Sequence, residues 1–237
     1  MRICVISIIH EPWGGSEELW AAMAREALNR HMTVHHSRLA VGPLASKEQA
    51  LLQVGLQPKD RRGFTGYIRQ PWLRIAVKAL HLLLDRVVPD YTYINAANFD
   101  AVLYVGTGLS AAADRRLLQS IINSGVPLFV NFQLCQESGR FSTTADWQFM
   151  RQLYQKAVHL FFVSHRNHVA LQNMLAQPLP HASVVRNPVN MPSTDYIPFP
   201  ATDGTARLAM LGNLLCMHKG QDAMLQVLGS ETWQSEN

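Results

Sequence analysis

His10, Gly14 and Gly15 stand close together, directly behind an apolar run at residues 2–9. An imidazole changes charge near neutrality and can give or take a proton. Two adjacent glycines permit positive φ and let a ligand come up against bare backbone. Gln133 follows a second apolar run, 128–132, and Glu137 lies in the polar loop behind it. A carboxamide donates and accepts hydrogen bonds but cannot shuttle a proton. Asn213 and Lys219 follow a third apolar stretch, 207–211, and Lys219 precedes the helix expected at 221–228. A lysine at a helix start is disfavoured by the dipole unless an anion sits there to offset it. Glu17 and Glu18 reverse that logic at the first site, since two carboxylates in a first turn suit the dipole and oppose a phosphate.

Such groups need a scaffold that gathers them, and the hydrophobic pattern supplies one. Residues 2–9 read as a strand buried on both faces, as in parallel sheets. Ser16 is placed to cap a helix in which Leu19, Trp20, Met23, Ala24, Ala27 and Leu28 recur at helical spacing. A short strand is expected at 32–36. A helix is expected at 72–88, with Leu73, Val77, Leu80, Leu84 and Val87 along one face and Pro89 as its stop. Strands at 100–105, 128–132, 158–163 and 182–186 alternate with helices at 110–122, 144–157 and 165–175. Residues 40–66 yield no clear element. The alternation gives an α/β, doubly wound parallel sheet with right-handed crossovers. Residues 1–190 form that domain. Residues 191–206, with Pro192, Pro198, Pro200 and Gly204, read as a linker. Residues 207–237 begin a second α/β domain and stop one strand and one helix into it. In open α/β sheets ligands bind at the carboxyl ends of the strands. His10, Gly14, Gly15, Gln133 and Glu137 are all expected there.

Composition narrows the class. The chain has 237 residues, 48% hydrophobic and 16% charged, enough to bury a core and too apolar for disorder. No apolar run is long enough to span a membrane, and the N-terminal run reads as a strand, not a leader. Cys4, Cys135 and Cys216 are far apart and odd in number, as for reduced thiols in the cytoplasm. No Cys/His spacing fits zinc, and His165 with His168 lacks a third ligand, so both read as surface or cap histidines. A net charge of +4 and a pI near 9.1 favour anionic partners such as nucleotide phosphates or lipid headgroups, and no nucleic acid is expected. The stretch Gly106-Thr107-Gly108-Leu109-Ser110-Ala111 fits the dinucleotide pattern G-x-G-x-x-A. That motif wants an acid at the end of the next strand, where this chain has Asn131-Phe132-Gln133. An oxidoreductase is therefore disfavoured.

Three marks occur in one order: Gly14-Gly15-Ser16-Glu17, then Val163-Ser164 with Val184-Val185-Arg186-Asn187-Pro188-Val189, then Leu211-Gly212-Asn213 with Lys219-Gly220. The chain resembles, in these marks, the GT-B fold of retaining, nucleotide-sugar-dependent glycosyltransferases of family 4. The resemblance implies two Rossmann-like domains facing across a cleft, the first mostly for the acceptor and the second for the donor. It implies transfer of a sugar from a nucleotide-diphosphate co-substrate to a glycan or lipid-linked acceptor, with no metal and no other cofactor. Lys219 matches the family's diphosphate-binding lysine, while Asn213 stands where the family has an arginine. Gln133 stands where the family often has a histidine. The family's paired glutamates lie beyond Asn237, so residues 1–237 alone are expected not to transfer sugar. With lipid-linked acceptors in view, the helix at 72–88, carrying Arg74 and Lys78 with Arg69 and Arg86 at its ends, has two readings. Packing on the sheet is preferred, and contact with the inner face of a membrane is the other. Two further classes stay open: a non-catalytic glycan- or nucleotide-binding module, and a nucleotide-sugar epimerase.

Overall fold

The N-terminal apolar run forms strand β1 (Arg2–Ser7), whose side chains alternate between two cores. Cys4 and Ile6 enter one, Ile3 and Val5 the other, and all four are buried. A near-continuous apolar sequence is what a strand covered on both faces requires. In this computed structural model, the residues described are 1–8, 13–39, 44–61, 70–87, 99–112, 114–135, 137, 139, 141–189, 208–210 and 220–230. Within 71–87 the described side chains are those of 71–73, 75–77, 79, 80 and 83. The chain divides into two units, Met1–Asn190 and Met191–Asn237.

In the first unit β1 is followed by α1 (Gly15–Asn29), β2 (Thr33–Leu39), α2 (Ser46–Gln53), β3 (Gln57–Arg61), α3 (Pro71–Val87) and β4 (Ala101–Thr107). Then come α4 (Arg115–Ser124), β5 (Leu128–Leu134), α5 (Thr144–Lys156), β6 (His159–Phe162), α6 (His165–Leu175) and β7 (Ala182–Val184). The sheet order is β3-β2-β1-β4-β5-β6-β7, and every pairing is parallel. This is the doubly wound, Rossmann-like sheet that the alternation predicts. One core lies under α4, α5 and α6, with Leu118, Ile121, Met150, Leu153, Leu171 and Leu175 packed on Tyr104, Val130, Phe132 and Phe162. The other lies under α1 and α2, with Trp20, Ala24, Ala27 and Leu51 on Val5, Val34 and Val105.

The departures from expectation have physical reasons. Residues 40–66 contain α2 and β3. The latter, Gln-Pro-Lys-Asp-Arg, lies at the edge and is exposed along four of its five residues, so it carries no apolar signal. An edge also tolerates Pro58, which has no N–H to give. The helix expected at 110–122 is split. Ser110–Ala112 is a 3-10 turn, and α4 begins only at Arg115, because Thr107 and Ser110 tie the turn to itself. Gly125 closes α4 with φ of 76°, the left-handed residue that ends many helices. Of the apolar face expected for α3, the side chains of Leu84 and Val87 lie outside the described residues. Leu73 and Val77 are half-buried, but Leu80 is exposed, together with Trp72, Ile75 and Leu83.

In the second unit α7 (Gln221–Leu228) starts from Gly220 at φ of 68° and buries none of its residues. Of the strand expected at 207–211, residues 208–210 are described and are not in a strand. A strand forms only against a neighbour, and the described part of this unit offers none. The linker at 191–206 lies outside the described residues.

Candidate functional site

The sheet order reverses between β1 and β4, so the chain leaves these two strands in opposite directions and a crevice opens at their carboxyl ends. Gly14 and Gly15 stand on that edge. Gly14 is the N-cap of α1, extended at φ −127° and ψ 175°, and neither glycine has positive φ. Neither glycine uses the left-handed freedom it has, and the expected Ser16 cap is absent. No side chain caps α1, and the Ser16 hydroxyl donates instead to Glu17 Oε2 at 2.7 Å. What the glycines provide is room. A Cβ on Gly15 would meet nothing within 4 Å, and one on Gly14 would meet only ordinary contacts at 3.6 and 3.8 Å. The first N–H groups of an uncapped helix need a partner from outside.

Parallel pairing puts the end of β5 on this same edge, and Gln133 with it. Gln133 donates to Asn131 Oδ1, and Asn187 donates to Gln133 Oε1 at 3.3 Å. Three carboxamides thus join, with Asn131 buried and Gln133 half-buried. Asn131 also lines an apolar pocket of about 170 Å³, together with Trp20 and Met23 of α1, Leu103, Phe161 and Val185. Glu137 is in the exposed loop beyond β5, where Arg166 of α6 grips both of its oxygens at 2.8 and 3.1 Å. That guanidinium holds the Glu137 carboxyl below the usual range, and the carboxylate in turn raises Arg166. Glu137 can accept hydrogen bonds but is a poor base near neutrality. Of the remaining candidates, His10, Asn213 and Lys219 lie outside the described residues.

Beneath the glycines runs a buried polar chain that the sequence did not reveal. His36 Nδ1 meets Glu48 Oε1 at 2.8 Å, and His36 Nε2 meets the Ser7 hydroxyl at 2.9 Å. Serine, histidine and carboxylate in that order have the spacing of a nucleophile, base and orienting acid. Here all three are buried, and the Trp20 ring covers His36 with centroids 4.2 Å apart. No substrate reaches Ser7, so the chain fastens α2 to β1 and β2. Arg61 extends the tie by donating to the Ser7 carbonyl at 2.7 Å and pairing with Asp114 at 3.4 Å, while the Tyr104 hydroxyl donates to Asp114 at 3.1 Å. Beside this chain Glu17 is buried in the first turn of α1. Burial pushes its carboxyl up to about 7; hydrogen bonds from Ser16 and Trp20 oppose the shift, and the charges of Glu48 and Glu18 add to it. Sequence missed these groups because Ser7, His36 and Glu48 are each unremarkable in type and far apart along the chain. Only the strand order brings them together.

The glycine motif after β4 is explained by packing. A Cβ on Gly106 would come within 2.5 Å of Ser110 Oγ, and one on Gly108 within 2.9 Å of Cys135 Sγ. The Thr107 N–H, which would meet a phosphate in a dinucleotide turn, is taken by Ser110 Oγ at 2.8 Å. Cys4 and Cys135 are buried free thiols, both pushed up to about 12 by burial. His168 stacks on Phe162 and meets the Leu179 carbonyl at 3.2 Å.

No protein-family model and no curated protein matches the sequence. Solved structures do. HepE from Anabaena, in complex with UDP and glucose, superposes with a TM-score of 0.51 at 12% identity, over 79% of this chain and 44% of that chain. The same protein in complex with UDP-glucose gives a TM-score of 0.51 at 13% identity over the same shares. The chain thus spans less than half the length of HepE. At this identity the likeness is one of fold, and it agrees with the GT-B resemblance at that level.

Proposed function

We propose that this chain is the acceptor-side part of a GT-B glycosyltransferase, which moves a sugar from a nucleotide-diphosphate donor to a glycan or lipid-linked acceptor. One observation carries the reading. The carboxyl edge of the sheet carries both the bare backbone at Gly14 and Gly15 and the Asn131–Gln133–Asn187 carboxamides. Its support is a fold shared with HepE, whose structures hold UDP with glucose, or UDP-glucose. Neutral donors and acceptors suit sugar hydroxyls. The diphosphate then falls to Lys219 and Asn213 in a donor domain beginning at residue 207, after the 191–206 linker. There a cation and helix N-termini would offset the leaving group's charge, without a metal. His10 and Gln133 would orient the acceptor hydroxyl toward the anomeric carbon, with Glu137 as a further acceptor of hydrogen bonds. Such orientation is worth several powers of ten in rate. As in family 4, transfer would retain the anomeric configuration. The enzyme would work in the cytoplasm, and α3, with Trp72, Ile75, Leu80 and Leu83 exposed, would rest on the inner face of the membrane.

The test is a transfer assay over a panel of nucleotide-diphosphate sugars, run with calorimetry on the same ligands and with the longest product of the coding sequence. Turnover of at least one donor supports the reading. Absence of both turnover and binding across the panel overturns it. The second reading, a glycan-binding module, is favoured by a carboxamide cluster that cannot move a proton, and it predicts binding without turnover.

A further inference from the structure

A second concavity, of about 460 Å³, lies where α1 and α2 run side by side, outside the carboxamide cluster. Trp13 forms one wall, and Pro188 also lines the groove. The indole is fixed, because its Nε1 donates to Glu18 Oε1 at 2.8 Å, while its ring packs toward Trp20 with centroids 5.9 Å apart. Ala21 and Ala22 are small and leave the floor of the groove open. The rim is charged. Lys47 pairs with Glu18, and Arg25 is exposed with no ion-pair partner among the described residues.

The contents of the groove indicate its ligand. A fixed aromatic wall with convergent polar groups suits a ligand that has one apolar face and a polar perimeter. A pyranose has that form, with C–H bonds on one face and hydroxyls around its edge. The charges then discriminate among sugars. Among the described lining residues two cations meet one carboxylate, and Lys47 is engaged by that carboxylate, so Arg25 is the cation left for a ligand. A planar guanidinium matches a carboxylate with two parallel hydrogen bonds. We propose that this groove is a carbohydrate subsite for an acidic pyranose, a uronate residue of a glycan. In it Trp13 is the stacking platform, Arg25 takes the sugar carboxylate, and Glu18 and Lys47 take hydroxyls. The subsite does not rest on the transferase reading, since it holds its sugar whether or not the chain transfers one.

The experiment is a titration of residues 1–237 with a glucuronate-containing tetrasaccharide and with the same tetrasaccharide after reduction of its carboxyl groups, followed by saturation-transfer NMR and calorimetry. The acidic form is expected to bind at least ten-fold more tightly, with saturation transferred from indole protons. Trp13→Ala is expected to lose both ligands. Arg25→Ala, at an exposed position that leaves the fold intact by circular dichroism, is expected to bind the two forms equally. Failure of both to bind overturns the proposal, and so does a preference for the acidic form that survives Arg25→Ala. The transfer assay over nucleotide-diphosphate sugars is independent of these outcomes, so the two readings fail separately.

Discussion

Burial lifts the Glu17 carboxyl to about 7, against an ordinary value of 4.5, so the folded chain holds a proton that the unfolded chain releases. The sign follows from linkage. The stability owed to Glu17 is fully present below pH 4.5 and is lost as pH rises through about 7. Glu17→Gln keeps the shape without the charge. In urea denaturation series between pH 5 and 8, the variant is expected to lose less stability with rising pH than the natural chain. Identical slopes would show that Glu17 is not the group responsible. The Ser7–His36–Glu48 chain makes a second residue-scale prediction. Removing one member of a buried pair leaves the other unsatisfied, so Glu48→Ala is expected to cost about 3 kcal/mol in the same assay. A loss under about 1 kcal/mol, the range of a surface pair, would contradict the described packing. None of this was legible residue by residue. The sequence singled out the carboxamide of Gln133, which follows an apolar run, but the partners Asn131 and Asn187 come from within that run and from a loop more than fifty residues on.

Elements separate two kinds of glycine that the sequence alone makes look alike. A Cβ on Gly15 would enter open space, and one on Gly108 would come within 2.9 Å of the Cys135 sulfur. Gly108→Ala should destabilise the chain by about 2 kcal/mol, the usual cost of overpacking a core. Gly15→Ala should leave stability within about 0.5 kcal/mol, since it adds a methyl group to an open surface. Only the Gly15 variant should weaken a ligand at the crevice. Equal destabilisation by both in thermal melts would remove the distinction. Helix α3 gives the other prediction at this scale. Trp72, Ile75, Leu80 and Leu83 are exposed, while Leu73 and Val77 are half-buried. The chain is expected to sediment with anionic vesicles at low salt and to be released by Trp72→Glu with Leu80→Glu. No difference between neutral and anionic vesicles would sink the membrane contact. Strands buried on both faces, such as β1, β4 and β5, were legible because unbroken apolar runs have few other uses. The edge strand β3 was not, since an exposed polar strand is held by pairing to β2 and by nothing in its own composition.

At the scale of the whole molecule, alternation of strand and helix sufficed for the doubly wound sheet, because right-handed crossovers leave few ways to connect parallel strands. The second unit was less legible, and α7 buries none of its residues. Residues 1–237 are accordingly expected to bind sugar without turning it over. The central claim is that the carboxyl edge of the sheet, at Gly14, Gly15 and Gln133, receives sugar. The most direct test is a backbone and side-chain amide NMR titration of residues 1–237 with UDP-glucose and with acceptor glycans. The account predicts saturable shifts at the Gly14 and Gly15 amides and at the Gln133 and Asn187 carboxamides, with Gly125 at the opposite edge unmoved. Shifts confined to that opposite edge, or none with any ligand, would contradict it.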